Sequence, residues 1–169
     1  MRLPHLVCAR VPAIGLAAGL AIGLAAGLAG GLVAGCTGPI EISDAPMSGR
    51  IGGVPWSLGS AETNDFLSSS DQFFIDAYAE VVAPCTGAGN QVRSNRLILN
   101  VPRETGNYLL GDGLNETFFV QDTGSNYIAT QGRIVVSQVT DTLLSGGGHF
   151  FFNGDNVVDG QFQAQICPP

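Results

Sequence analysis

Few residues in this 169-residue chain can do covalent or acid–base chemistry. There are four thiols, Cys8, Cys36, Cys85 and Cys167, two histidines, His5 and His149, and no lysine. A Ser-His-Asp arrangement needs a positioned base, and beyond residue 36 His149 is the sole candidate. It follows Gly146-Gly147-Gly148 and opens Phe150-Phe151-Phe152, so it reads as a strand-end residue on the solvent side rather than as a base. No Gly-x-Ser-x-Gly elbow, His-Glu-x-x-His, Walker loop or Cys-x-x-Cys occurs. Acids gather in two segments, Asp112-Gly113-Leu114-Asn115-Glu116 and Asn153-Gly154-Asp155-Asn156, with Asp159-Gly160 beyond. Loop oxygens two or three residues apart can hold calcium, which makes Asp112, Asn115, Glu116, Asp155 and Asp159 the metal candidates and calcium the one cofactor considered. Neither segment fits the EF-hand loop. The same residue types fill hairpin turns, because they tolerate positive φ and cap their own backbone, and turn chemistry is the preferred reading. Spacing offers nothing positive for the paired carboxylates of a glycosidase.

The thiol with the most telling surroundings is Cys36. Arg2 and Arg10 precede it without any acid, and Val11 to Gly35 carries no charge. Charged start, apolar run and small residues before a border are the order of a secretory signal. About 20 apolar residues can also span a bilayer, so an uncleaved membrane helix is the rival. Gly15, Gly19, Gly23 and Gly27 form a small-xxx-small face, although a Gly/Ala/Leu-rich signal produces that spacing by chance. The segment Leu32-Val33-Ala34-Gly35-Cys36 resembles the lipobox of bacterial lipoproteins. The resemblance covers the first 36 residues. It implies that residues 1–35 are removed as a signal peptide and that Cys36 receives a diacylglycerol and then palmitate. A membrane partner reached through that lipid and a cell-envelope location follow. Thr37 rather than Asp after the lipidated residue implies the outer membrane, if the host is Gram-negative.

With Cys8 leaving in the signal and Cys36 lipidated, Cys85 and Cys167 remain as one pair in an oxidising compartment, and a disulfide is expected. Two cysteines without a nearby His do not suggest zinc. The remaining 134 residues are enough for one domain with a core. They carry 5 of the 7 basic residues and all 14 acids, a net charge of −9. Such a surface repels nucleic acid and anionic headgroups.

The elements that must position these residues read as short strands. Residues 36–48 hold Gly38, Pro39 and Pro46 without an apolar period and read as the lipidated Cys and a tether that lifts the domain, residues 49–169, off the membrane. Ile40 and Ile42 are available to pair with a sheet edge. Gly52-Gly53 signals a hairpin turn leading to Trp56, an opening loosely similar to that of small uncharacterised bacterial β-domain lipoproteins. Residues 61–71 read as a loop. Phe73, Ile75, Ala77, Ala79 and Val81 alternate with Phe74, Asp76, Tyr78, Glu80 and Val82, a half-buried strand. Residues 83–95 read as a long loop. Strands follow at 96–101, 107–110, 117–121, 126–130, 133–139, 149–153 and 161–167, the last with Phe162, Ala164 and Ile166 inward and glutamines outward. About ten strands without a helical period make an all-β fold, an antiparallel sandwich or flattened barrel. The sequence points to a lipid-anchored envelope protein that binds or scaffolds an envelope protein or glycan without recognisable catalysis. A calcium-stabilised adhesion or carbohydrate-binding module and an unrecognised hydrolase are the alternatives.

Overall fold

The computed structural model describes residues 40–111 and 114–168. The expected signal segment, residues 1–35, and the candidate residues Cys36 and Asp112 lie outside the described residues. Within them the chain is all-β, with eleven strands and one short 3-10 turn at Ala88–Gln91. The strands are β1 (Ser48–Ile51), β2 (Val54–Ser57), β3 (Ser60–Thr63), β4 (Gln72–Tyr78), β5 (Arg96–Pro102), β6 (Gly106–Leu109), β7 (Thr117–Val120), β8 (Ser125–Ile128), β9 (Gln131–Val139), β10 (Leu143–Asn153) and β11 (Asn156–Gln165). They form one sheet in the order β6-β9-β10-β11-β3-β4-β5-β7-β8, with β1 also paired to β11 and β2 to β1. Every strand pairing is antiparallel except a single-register parallel contact of β11 with β3, Gln165 opposite Glu62. Among the described residues no helix is long and apolar enough to cross a membrane.

The sheet curls, so one face becomes the core. Period-two alternation decides which residues go in. In β5, Leu97, Leu99 and Val101 are fully buried while their neighbours are half-buried. They share the interior with Ile75 of β4, Ile134 and Val136 of β9, Leu144 and Phe150 of β10, and Val158, Phe162 and Ala164 of β11. Burial of each larger side chain contributes roughly 1.5–3 kcal/mol. Gly52 and Gly53 adopt φ 62° and 78°, the left-handed pair that a tight hairpin needs and that glycine supplies without strain. Trp56 is buried, with its indole N–H donating to the Asn95 carbonyl at 3.1 Å.

Five features depart from the local reading. Residues 61–63, expected in a loop, belong to β3, because the edges of β4 and β11 flank them and supply partners. Strand β10 begins at Leu143, six residues before His149, so the three glycines lie inside the strand, paired on both sides by β9 and β11. Strand β4 ends at Tyr78 rather than Val82, and Val81 is exposed. Asp76 and Tyr78, expected on the outer face, are buried, because the segment around Gly89 closes over that face; a Cβ on Gly89 would lie 2.5 Å from Tyr78 Oη.

The fifth departure concerns the expected tether. Met47 is fully buried in the core. Its N–H donates to the Gln161 carbonyl and Gln161 N–H donates to the Ala45 carbonyl, both at 2.8 Å. Pro46 bridges to Gln161. The folded domain therefore starts before Gly49, and part of the segment expected to hold the domain away from the membrane is strapped to the sheet.

Candidate functional site

The strap runs over the outer face of β9, β10 and β11, and this is where polar side chains converge. Register places Arg133, His149 and Asp159 side by side across the three strands. Arg133 donates through Nε to Asn107 Oδ1 at 2.6 Å and through Nη1 to the Ile40 carbonyl at 3.0 Å. His149 Nδ1 lies 3.6 Å from Asp159 Oδ1. The same carboxylate accepts the Ser43 N–H at 3.2 Å, and Gln161 Nε2 donates to the Ser43 carbonyl at 2.8 Å. His149 is thus a mid-strand residue, half-buried beside Asp159, rather than a strand-end residue.

The strap divides this face into two adjoining hollows that share Ser137 and Gln161. The larger, about 540 Å³, is lined by Leu58, Ser60, Ser137, Ser145, Gln163 and Asp44 among others. The smaller, about 400 Å³, lies between Glu41, Ile42, Arg133 and Val135. Gly147 forms part of its floor. Ser145 Oγ is covered and has no hydrogen-bond partner. The lining is rich in hydroxyl and amide groups around a few apolar side chains, a composition suited to hydrogen-bonding an uncharged polar ligand.

Cys85 and Cys167 are disulfide-bonded, with Cα atoms 5.2 Å apart. Cys85 lies in the loop after β4 and Cys167 follows β11; both strands flank β3, so the bond staples across its end. Cys85 has φ 59°, unusual for a residue with a Cβ, and its N–H is held by Glu62 Oε2 at 2.5 Å. Among the described residues this trio is the one group of three His, Cys, Asp or Glu side chains close enough to share an ion, and its two sulfurs are bonded to each other.

The calcium candidates fall in different places. Asn115 offers its carbonyl to Asn100 Nδ2 at 2.7 Å. Glu116, next to it, points inward and is completely buried. Its Oε2 accepts the Asn100 N–H at 2.8 Å, while Oε1 has no partner. Burial pushes its pKa well above the usual carboxylate range, opposed in part by that hydrogen bond. Asp155 sits in the β10–β11 turn, its N–H donating to Asn153 Oδ1 at 3.0 Å, and its carbonyl accepts the Gly53 N–H. Asp159 belongs to the strap site. In the Asn153–Asn156 segment these residue types act as turn chemistry, as their local hydrogen bonds show.

The Phe run divides by face. Phe150 is in the core, Phe151 is half-buried, and Phe152 packs on Tyr127 with ring centroids 5.2 Å apart. Arg96 lies 3.6 Å from Asp76 and over the Phe119 ring. Burial raises the pKa of Asp76, and the nearby guanidinium opposes that rise. Sequence reasoning missed the burial of Glu116 and of Tyr78 and the strap across the sheet. Ile40 and Ile42 were the local signal for the strap.

Comparison with known proteins adds no relative: no family model, curated protein or solved structure matches this chain.

Proposed function

We propose that this chain is a lipid-anchored cell-envelope protein whose β-domain binds or scaffolds a partner without catalysis. The observation that carries the reading is the Leu32-Val33-Ala34-Gly35-Cys36 border, a thiol after small residues where a long uncharged run gives way to an acidic domain. One acyl chain anchors marginally and two or more anchor firmly. In a Gram-negative host, Thr37 favours the outer membrane. The Cys85–Cys167 bond is consistent with an oxidising compartment outside the cytoplasm. His149 and Asp159 serve the strap on this reading; the polar neighbour of His149 is a carboxylate already engaged with the Ser43 N–H, which favours a holding role over proton transfer.

The hydroxyl- and amide-lined hollow beside Ser137, Ser145 and Gln163 favours one class of partner, an uncharged polar ligand such as an envelope glycan. Metabolic labelling with a palmitate analogue tests the anchor: wild type is labelled and Cys36→Ser is not. Equal labelling of both refutes it. A screen of envelope glycans and generic hydrolase substrates tests the rest. Saturable glycan binding weakened by Gln163→Ala supports the reading, and turnover abolished by His149→Ala overturns it.

A further inference from the structure

The strap determines which side of the domain meets the membrane. Its first described residue, Ile40, is held by Arg133 Nη1 on β9. Three residues, Thr37, Gly38 and Pro39, lie between Cys36 and Ile40 in sequence, and the four steps of fully extended chain reach at most about 14 Å. A folded unit of this length has a radius of gyration of about 14 Å and hence a diameter well above that reach. A tether that short cannot let the domain tumble freely above its anchor while the strap is bound.

The strap is secured at several points along its length. The Ile40 carbonyl is on Arg133, the Ser43 N–H on Asp159, the Ser43 carbonyl on Gln161, and Ala45 and Met47 pair with the backbone of Gln161. Gly160 makes the close approach feasible. It has φ 131°, and a Cβ there would lie 2.6 Å from the Ala45 carbonyl oxygen. The exit point lies at the β6–β9 edge of the sheet. Leu109 of β6 is the cross-strand partner of Arg133 and is 56 % exposed. Ile40 and Ile42 are half-buried alongside. The charged groups facing this corner are the guanidinium of Arg133 and the carboxylate of Glu41, which line the same hollow.

We propose that the β6–β9 edge, with Leu109, Arg133 and the strap residues Ile40 and Ile42, rests on the phospholipid headgroups of the membrane that holds Cys36. The proposal rests on the lipidation of Cys36 proposed above. An apolar side chain beside a guanidinium suits the boundary between headgroup and acyl chain. The net acidity of the domain makes a zwitterionic surface the fitting partner, because like charge repels an anionic one.

The competing contact is the opposite end of the sheet, where Phe66 is 93 % exposed beside half-exposed Leu67. Asp65, next to Phe66, lines a hollow with Asp141. Asp141 lies in the turn beyond β9, whose six residue steps from Arg133 to Val139 alone extend about 20 Å, so the two contacts are distinguishable by a surface probe.

The test uses the full lipidated chain in phosphatidylcholine vesicles carrying a headgroup nitroxide. A fluorophore is placed on Leu109→Cys or Phe66→Cys; with Cys8 removed in the signal, Cys36 lipidated and Cys85 bonded to Cys167, no other free thiol is left to label. Several-fold stronger quenching at residue 109 than at residue 66 is expected, and Arg133→Ala, which releases the Ile40 end of the strap, should reduce that difference while vesicle association persists. Equal quenching at both sites, or stronger quenching at residue 66, overturns the proposal. Shielding of the residue 109 probe without vesicles assigns the edge to a second copy of the chain and also overturns it. Failure of the labelled Leu109→Cys and Phe66→Cys proteins, with Arg133 intact, to associate with vesicles refutes the lipid anchor itself, a failure separate from that of the orientation.

Discussion

Glu116→Gln should be less stable than the wild type in acid and more stable than it at alkaline pH. Glu116 is completely buried, with one oxygen on the Asn100 N–H and the other without a partner. Its folded-state pKa is raised well above the ordinary value of 4.5. The folded chain therefore holds this proton more tightly than the unfolded chain. The resulting stabilisation is fully present below pH 4.5 and is lost as pH rises toward and through the folded pKa. Within that window each pH unit costs about 1.4 kcal/mol, the limit set by one differentially bound proton. Glutamine keeps the shape and can still accept from Asn100, but its amide N–H groups enter a site with no acceptor for them. At pH 4.5 the variant should therefore be less stable than the wild type, by roughly 1–3 kcal/mol. By pH 8 it should be the more stable of the two. The assay is urea unfolding of residues 37–169 at pH steps from 4.5 to 8, with the two stabilities subtracted so that Asp76 and other titrating groups cancel. A difference that stays constant across the range refutes the argument, because it would mean that Glu116 ionises as readily in the folded protein as in the unfolded one.

Replacing both Cys85 and Cys167 with serine should lower stability by about 4–5 kcal/mol on the chain-entropy account, since the bond closes a sequence separation of 82 residues; a loss under about 1 kcal/mol in urea unfolding would remove the staple from the account of stability. Phe150→Ala removes a fully buried ring from the centre of β10 and should cost about 3–5 kcal/mol, read as a lower urea midpoint at unchanged slope. Because Glu116, Asp155 and Asp159 occupy separate environments, with Glu116 buried and Asp159 on the strap, millimolar calcium should leave the thermal midpoint unchanged; a rise that EDTA reverses would restore the calcium reading. Gly160→Ala should loosen the strap, and faster proteolysis between residues 40 and 46 than in the wild type would register it.

Where a strand alternates over its whole length, the sequence alone determined its place. Leu97, Leu99 and Val101 point inward, as do Phe162 and Ala164, because a period of two leaves one arrangement that hides the apolar side. Gly52-Gly53 forms the expected turn, since few other residues adopt its positive φ values, and Cys85 and Cys167 form the expected bond. The remaining features were decided by tertiary structure, through partners distant in the chain. Strand β3 has little propensity of its own and exists because β4 and β11 flank it. The glycines of β10 are held extended by two long neighbours rather than by side chains. Glu116 looked like a ligand in a polar turn, yet it is turned inward onto an N–H sixteen residues away. The strap from Ile40 to Met47 shows no apolar period, because its backbone is held by groups on β9 and β11 more than 90 residues later. Local pattern specifies which face of a strand is apolar. It does not specify which distant backbone will complete the hydrogen bonds of a polar segment, and that choice decided how the strap crosses the sheet.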